Sequence, residues 1–169
     1  MTTTSTATRS AEVATCVPSS FPTNRSAINN TIVAFGSLAK NKYAASANIL
    51  GYGGSPPRVY IGINTSNNAV VLGLFDAINA GASTASTGLP VGESWAVAGT
   101  FNRGEMAISL NGSVAAASIS PQIIEAIPMR FYIGMRSDNV AWWNGYITRV
   151  IYIPQKLNAF ALQDMTSIT

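Results

Sequence analysis

The chain has 169 residues, a length that suits one domain with a substantial core. Only 10% of the residues are charged, against about 25% in typical soluble proteins. The ten basic residues are scattered without interleaved aromatics, which argues against a nucleic-acid-binding surface. No apolar run approaches the length of a membrane span or of a secretory signal. We therefore expect a protein that is made in the cytosol and binds neither nucleic acid nor membrane.

The scarcity of charge favours a protein whose surface meets other subunits, because a monomer needs a charged surface without large apolar patches. The alternative is a polar surface of Ser, Thr and Asn, which are abundant in this chain. The single cysteine, Cys16, lies in the apolar stretch EVATCVP and is expected to be a buried thiol. A homo-oligomer without an internal disulfide follows from these two observations.

The first ten residues, MTTTSTATRS, are rich in Thr and Ser and have no apolar face. Such a segment does not order itself, because fixing each backbone unit costs about 1–2 kcal/mol and polar side chains bury little apolar area. We expect residues 1–10 to be an assembly arm that docks on another chain, with contacts from Thr2, Thr3, Thr4 and Arg9. The alternative is an arm that lies across its own domain, residues 11–169.

The rest of the chain predicts short β-strands separated by turns. Strand-like segments occur, in chain order, at NNTIVAFGSL, ASANILGYG, RVYIGIN, AVVLGLFDA, ESWAVAGTF, MAISLNG, SVAAASIS and MRFYIGMRS. Alternation places Trp95 and Phe101 on one face of their strand, and Ile108 and Leu110 on one face of the next. The Asn-Gly at positions 111–112 is typical of a type I′ hairpin turn, because both residues tolerate positive φ. Many short strands with regular turn signals predict an antiparallel sandwich or barrel.

The last predicted strand lies within WWNGYITRVIYIPQKLNAFALQDMTS. Ile147 is expected to point inward, and so are Val150 and Tyr152, which are one residue out of phase with it. A β-bulge near residues 148–149 would restore the phase. Pro154 cannot donate a hydrogen bond to a neighbouring strand and is expected to end this one.

A short helix follows this strand. Asn158 is predicted to cap it, with Leu157 packing on Leu162 as a hydrophobic staple.

Counting back from the last strand, Trp143 shares the inward phase and Trp142 the outward one. The residues predicted to form the core are Trp95, Phe101, Ile108, Leu110, Phe131, Ile133, Trp143, Ile147, Val150 and Tyr152.

The chain lacks the residues of common catalytic sites. It contains no histidine, which excludes Ser-His, Cys-His and His-metal arrangements. A glycan hydrolase needs two carboxylates that flank one bond, and no strand carries such a pattern. The acidic residues fall mostly at expected turns and strand ends: Glu12, Asp76, Glu93, Glu105, Glu125, Asp138 and Asp164. We expect no enzyme activity and no cofactor.

A calcium site is conceivable only at the loop with Asp138 and Asn139, joined by backbone oxygens or by Asn64. Calcium usually requires two or more carboxylates, and this loop supplies one. An Asp-Asn pair is more often part of a turn, so no metal is expected.

Two segments resemble a known fold family. ESWAVAGTFNRGEMAISLNGS resembles the core signature of laminin-G-like, or concanavalin A-like, jelly-roll domains, in which a Trp opens a strand and the next strand ends in Asn-Gly. YIGMRSDNVAWWNGYITRVIYIPQKLNAFALQDMTS resembles their closing strands and short helix, particularly the versions found in tailed-bacteriophage virion proteins. Residues 8–14, TRSAEVA, are similar to a segment that precedes those phage domains. Ala161 stands where the related helices usually have Glu, which removes the capping box and leaves the staple.

The resemblance implies an all-β jelly-roll sandwich of two antiparallel sheets with a short C-terminal helix. It further implies a non-enzymatic virion structural protein, either a capsid decoration or a fibre or tail component, that is made in the host cytoplasm, forms a trimer and contacts other virion proteins. The alternative is a carbohydrate-binding module that recognises a host surface glycan. Trp142, Asp138 and Asn139 are the candidate contacts for a ligand or a neighbouring subunit. Exposed aromatics with convergent Asn, Asp and Gln side chains on the concave face of the sandwich would favour the glycan-binding alternative.

Overall fold

A computed structural model describes residues 14–16, 30–38, 47–53, 58–64, 69–75, 80–102, 105–113, 116–118, 131–134, 143 and 145–168. These residues form β-strands and a short helix. The elements are β1 (Ala14–Cys16), β2 (Asn30–Leu38), β3 (Ala47–Gly53), β4 (Arg58–Ile63), β5 (Ala69–Phe75), β6 (Ala80–Gly88), β7 (Ser94–Asn102), β8 (Glu105–Leu110), β9 (Ala116–Ser118), β10 (Phe131–Ile133), β11 (Gly145–Ile153) and α1 (Ala159–Thr166).

The described strands form two sheets. One sheet has six strands in the order β1-β10-β3-β4-β5-β6, and the other has five in the order β11-β2-β7-β8-β9. Neighbouring strands pair antiparallel throughout both sheets. The predicted two-sheet antiparallel sandwich with a short C-terminal helix is confirmed.

Two strands were not among the predicted segments. β6 has the sequence AGASTASTG, whose small residues have a low intrinsic tendency to form strands. It is a strand because Ala80 to Thr84 pair with Phe75 to Val71 of β5. β1 is only three residues long and is held by β10, in which Phe131 pairs with Cys16. Neighbouring strands therefore determine both elements, and the local sequence does not.

The core lies between the two sheets. Gly99 of β7 faces Ile61 and Leu72 of the opposite sheet, and a Cβ at Gly99 would lie 2.7 Å from Cδ1 of Leu72. The absence of a side chain at this position lets the two sheets approach closely. Burial removes apolar surface from water, at roughly 25 cal/mol per Å², and is the main stabilising contribution in such a sandwich.

The predicted core residues fall into two groups. Trp95, Phe101, Ile108 and Leu110 are at most 3% exposed, as predicted. A second group packs against the core while keeping part of its surface exposed: Ile133, Trp143, Ile147, Val150 and Tyr152. Except for Trp143, which lies between β10 and β11, these residues belong to strands at or next to a sheet edge, which accounts for their partial exposure. The side chain of Phe131 lies outside the described part of the chain.

The ring of Trp143 packs edge-on against Trp95, with 5.5 Å between ring centroids and 82° between ring planes. A Cβ at Gly145 would lie 2.9 Å from Nε1 of Trp143, so the ring uses space left by this glycine. The backbone N–H of Trp143 donates to the carbonyl of Gly134 at 2.8 Å. The inward phase predicted for Trp143 is confirmed, whereas Trp142 is outside the described residues.

The end of the chain follows the sequence-based expectations. The register between β11 and β2 shifts between Ile147 and Arg149, which is the predicted bulge. The side chain of Asn158 accepts a hydrogen bond from the N–H of Ala161 at 2.9 Å and caps α1.

Burial raises the pKa of the Tyr152 hydroxyl above its ordinary value. No helix among the described residues is long and apolar enough to cross a membrane.

Candidate ligand-binding face of the six-stranded sheet

The helix α1 packs on the outer face of the five-stranded sheet. Leu162 of the helix is buried with Val33, Ala98 and Ala107 of the sheet, and Leu157 packs against the same cluster. The hydrophobic staple formed by Leu157 and Leu162 is therefore part of a second, smaller core. This cluster forms on the side of the sheet that faces away from the main core.

Hydrogen bonds fasten the helix and the segment before it to this face. The hydroxyl of Thr31 accepts from the N–H of Leu157 at 3.0 Å and donates to the carbonyl of Gln155 at 2.9 Å. At the other end, the hydroxyls of Ser109 and Thr166 lie 2.9 Å apart. These contacts cover the part of this outer face that lies next to α1, whereas Tyr146 of β11 is 67% exposed. The outer face of the six-stranded sheet carries a different arrangement of aromatic residues.

Four residues form a row across the outer face of the six-stranded sheet. Tyr132 of β10 pairs with Gly51 of β3, Gly51 pairs with Tyr60 of β4, and Tyr60 pairs with Gly73 of β5. Their chain neighbours Leu50, Ile61, Leu72 and Ile133 pack in the main core. Because successive residues of a strand point to opposite faces, the four residues belong to the outer face. We call Tyr132, Gly51, Tyr60 and Gly73 the tyrosine row.

The ring of Tyr60 covers Gly73. A Cβ built on Gly73 would lie 2.3 Å from Cε1, 2.4 Å from Cζ and 2.7 Å from Oη of Tyr60. These distances place the Cβ position out of the plane of the ring, beside its Cε1–Cζ bond and its hydroxyl. The ring therefore occupies the space above Gly73, and Tyr60 is partly exposed.

Gly51 lies between the two tyrosines of the row and is not covered in the same way. A Cβ at Gly51 would lie 3.2 Å from the carbonyl oxygen of Val59 and 3.5 Å from Cβ of Tyr60. The third-nearest atom is Cα of Tyr60 at 3.9 Å, so no atom of Tyr132 is closer than that. Among the described residues, the ring of Tyr132 therefore does not lie on Gly51 as the ring of Tyr60 lies on Gly73.

A polar side chain adjoins the ring of Tyr60. Asn48 of β3 pairs with Gly62 of β4, and a Cβ at Gly62 would lie 2.9 Å from Oδ1 of Asn48 and 3.2 Å from Cδ2 of Tyr60. Asn48 is 4% exposed although it lies on the outer face. A buried amide thus lies beside the aromatic ring.

The predicted contact residues Trp142, Asp138 and Asn139, and the arm residues Thr2, Thr3, Thr4 and Arg9, lie outside the described residues. Asn64 follows β4, and its backbone N–H donates to the carbonyl of Ala69 at 2.9 Å to close the β4–β5 turn. No group of three or more His, Cys, Asp and Glu side chains suited to a metal occurs among the described residues.

The described acidic residues belong to separate elements. Glu93 directly precedes β7, Glu105 begins β8, and Asp164 lies in α1. Glu105 forms an ion pair with Lys156, which joins the start of β8 to the segment before the helix. None of the three belongs to the six-stranded sheet.

The tyrosine row was not among the sequence-predicted site residues. The signal that was available is the repeated glycine at outward positions in NILGYG and VVLGLF, together with the tyrosine in RVYIGI. A glycine inside a strand often marks a close approach of another group. The pairing partners had to be known before these positions could be joined into one row.

No protein-family model and no curated protein sequence matches the chain. Solved structures do match. The CBM40 module of the Ruminococcus gnavus IT-sialidase superposes with a TM-score of 0.70 at 19% identity and covers 85% of each chain. The chain has a lectin-like jelly-roll fold.

Two further structures have the same fold. Domain 4 of AbnA, an extracellular arabinanase of Geobacillus stearothermophilus, has a TM-score of 0.65 at 12% identity, covering 83% of this chain and 67% of that one. The leech intramolecular trans-sialidase has a TM-score of 0.64 at 16% identity, covering 86% of this chain but only 24% of the enzyme. None of these three structures is of a virion protein, and at these identities the likeness shows the fold alone.

Proposed function

We propose that the protein is a carbohydrate-binding domain that binds a glycan on the outer face of its six-stranded sheet. The observation that carries this proposal is the ring of Tyr60, which covers Gly73 on the outer face of the sheet and is partly exposed. The apolar C–H face of a pyranose ring packs on an aromatic face, since both surfaces are flat and lose contact with water.

The support of the ring by Gly73 favours binding further. A side chain that must be ordered upon binding loses rotamer freedom, which typically costs about 0.5–1.5 kcal/mol. Tyr60 is already held against the sheet, so it meets a sugar without that loss. The amide of Asn48 lies beside the ring and is buried, so the ring itself is the surface that a sugar meets.

The solved structures support the same function. The R. gnavus CBM40 module was solved bound to α2,3-sialyllactose, and Domain 4 of AbnA was solved in complex with arabinotriose. These ligands differ from one another, and both proteins are less than 20% identical to this chain. The fold therefore favours glycan binding as a class without identifying the sugar.

We propose a binding function without catalysis. The chain contains no histidine, and the described carboxylates of Glu93, Glu105 and Asp164 belong to the other sheet or its surroundings. A virion structural role, a virion location, a trimeric assembly and the arm at residues 1–10 stay predictions from the sequence. A glycan-binding domain is compatible with all of them, because a fibre or decoration protein is a suitable carrier for host recognition.

The proposal is tested by glycan-array binding of the full chain and of the Tyr60→Ala variant. We expect the wild-type chain to bind at least one glycan and Tyr60→Ala to lose most of that signal. Tyr60→Phe keeps the ring and should retain binding. Phe160→Ala is the matched control, because Phe160 is an 82% exposed aromatic on α1, on the opposite side of the sandwich.

Thermal unfolding of each variant shows whether the fold is intact, so that lost binding is not confused with lost structure. Binding by Tyr60→Ala equal to that of the wild type would contradict the proposed site. Failure of the wild-type chain to bind any glycan would contradict the proposed function itself.

A further inference from the structure

We infer that the site takes an extended oligosaccharide of several sugar units, which lies across strands β10, β3, β4 and β5 along the tyrosine row. This inference rests on the proposed function and adds the length and direction of the ligand. Its first support is the register, which aligns Tyr132, Gly51, Tyr60 and Gly73 as successive cross-strand partners. The row therefore runs perpendicular to the strands.

The spacing of the two tyrosines sets the minimum length of the ligand. They are separated by two strand spacings, or about 10 Å between their backbones. The ring of Tyr60 extends towards Gly73, away from Tyr132. A pyranose ring is about as wide as one phenol ring, so one sugar unit covers one tyrosine and cannot reach the other. A ligand that contacts both needs two stacked units and a unit that joins them.

Gly51 is the cross-strand partner of both tyrosines and carries no side chain. It is itself buried, so a joining unit would lie above it at the height of the two rings. The described atoms nearest to its missing Cβ belong to the backbone of Val59 and to the Cα and Cβ of Tyr60. The row thus presents an aromatic side chain, a position without a side chain and a second aromatic side chain, which suits alternate units of a linear chain.

A purely structural role explains only half of this arrangement. Aromatic rings often cover strand glycines and shield the backbone there, and the ring of Tyr60 on Gly73 fits that role. The same role would place the ring of Tyr132 on Gly51, yet no atom of Tyr132 is within 3.9 Å of the Cβ position there. Tyr132 is partly exposed on the outer face of β10, as a second stacking position requires.

The test measures affinity by calorimetry for the full chain with oligosaccharides of one to five units from arabinan, xylan, cellulose and chitin, and with 3′-sialyllactose. For the sugar that binds, affinity should rise steeply with length and level off at about three units, the number that spans the two strand spacings. Tyr132→Ala should lower the affinity for the three-unit ligand by about tenfold, as expected for loss of one aromatic contact. Its effect on the single sugar should be much smaller.

Gly51→Val provides an independent variant that keeps both tyrosines. The added side chain projects between the two tyrosines, so it should weaken binding of the three-unit ligand more than binding of the single sugar. Phe160→Ala should bind every length as the wild type does. Thermal unfolding of each variant again separates lost binding from lost structure.

Three outcomes overturn the inference, and they are distinguishable. Equal affinity for one unit and three units, with binding still dependent on Tyr60, refutes the extended ligand and leaves the proposed glycan-binding function intact. Absence of binding to every saccharide refutes both. Unchanged affinity of Tyr132→Ala and Gly51→Val for the three-unit ligand also refutes the tyrosine row as the binding surface for a chain.

Discussion

Gly36→Ala tests how tightly the edge strand β11 is packed against its neighbours. A Cβ at Gly36 would lie 2.1 Å from the carbonyl oxygen of Tyr146 and 2.6 Å from Cζ2 of Trp95. Ordinary contacts between heavy atoms are about 3.5 Å or longer, so the neighbours must move by about 1 Å. Neither moves easily, because Tyr146 is paired with Ser37 in the sheet and Trp95 is 1% exposed.

Overpacking of this kind costs typically about 1–3 kcal/mol of unfolding free energy. Replacing glycine in a strand recovers about 0.4–1 kcal/mol through the lower entropy of the unfolded chain. Because the added Cβ clashes with a backbone atom and with a fully packed ring, we expect an overpacking cost near the upper end of that range. After the entropic gain is subtracted, the net loss of unfolding free energy is about 2 kcal/mol. A loss of this size lowers the melting temperature by roughly 4–8 °C in a chain of this length.

Gly51→Ala is the matched control for this measurement. Its Cβ would lie 3.2 Å from the nearest backbone atom, so a shift of a few tenths of an ångström accommodates it. Circular dichroism during heating, together with denaturant unfolding, gives the stability of both variants. If Gly36→Ala melts within a degree or so of Gly51→Ala, the close packing of β2, β11 and Trp95 is wrong.

Three further predictions concern the core, the metal and the arm. Leu110→Ala should lower the unfolding free energy by roughly 2–5 kcal/mol, because Leu110 is 2% exposed in the main core; a change below about 1 kcal/mol in denaturant titration would contradict this. Chelator should leave the melting temperature unchanged, whereas a fall of several degrees would show that Asp138 and its neighbours hold calcium. Deletion of residues 2–10 should leave the domain folded with nearly unchanged thermal stability while weakening oligomerisation, measured by light scattering; an unchanged mass would refute the role of the arm.

Local patterns predicted a large part of this fold. Alternation of apolar residues gave the correct inward faces of β7 and β8. The Asn-Gly sequence predicted a turn with positive φ, and the observed φ values are 49° and 70°. The one-residue break in the apolar alternation of the last strand located the β11 bulge. Each of these features depends on residues that are close together in the chain. Their side-chain period or backbone preference is visible without knowledge of the partner strand.

The candidate site depends on partners that are distant in the chain. Tyr132 and Gly51 meet because β10 inserts between β1 and β3, and no local pattern encodes that insertion. The register of Tyr60 on Gly73 is likewise set by pairing of two strands. The tryptophan pair is the more conspicuous feature of the sequence, yet Trp143 packs against Trp95 in the core.

The helix that covers the five-stranded sheet is synthesised after every strand it protects. Leu162 and Leu157 bury Val33 and Ala98, yet β2 leaves the ribosome long before α1. Because synthesis proceeds at about 5–20 residues per second, the apolar outer face of β2 stays uncovered for on the order of 10 s before α1 is made. During that interval the nascent chain presents an uncovered sheet face, so chaperone capture or aggregation competes with folding at this stage. Variants that weaken α1 should therefore reduce the yield of soluble protein in cells more than their effect on the stability of the finished domain suggests.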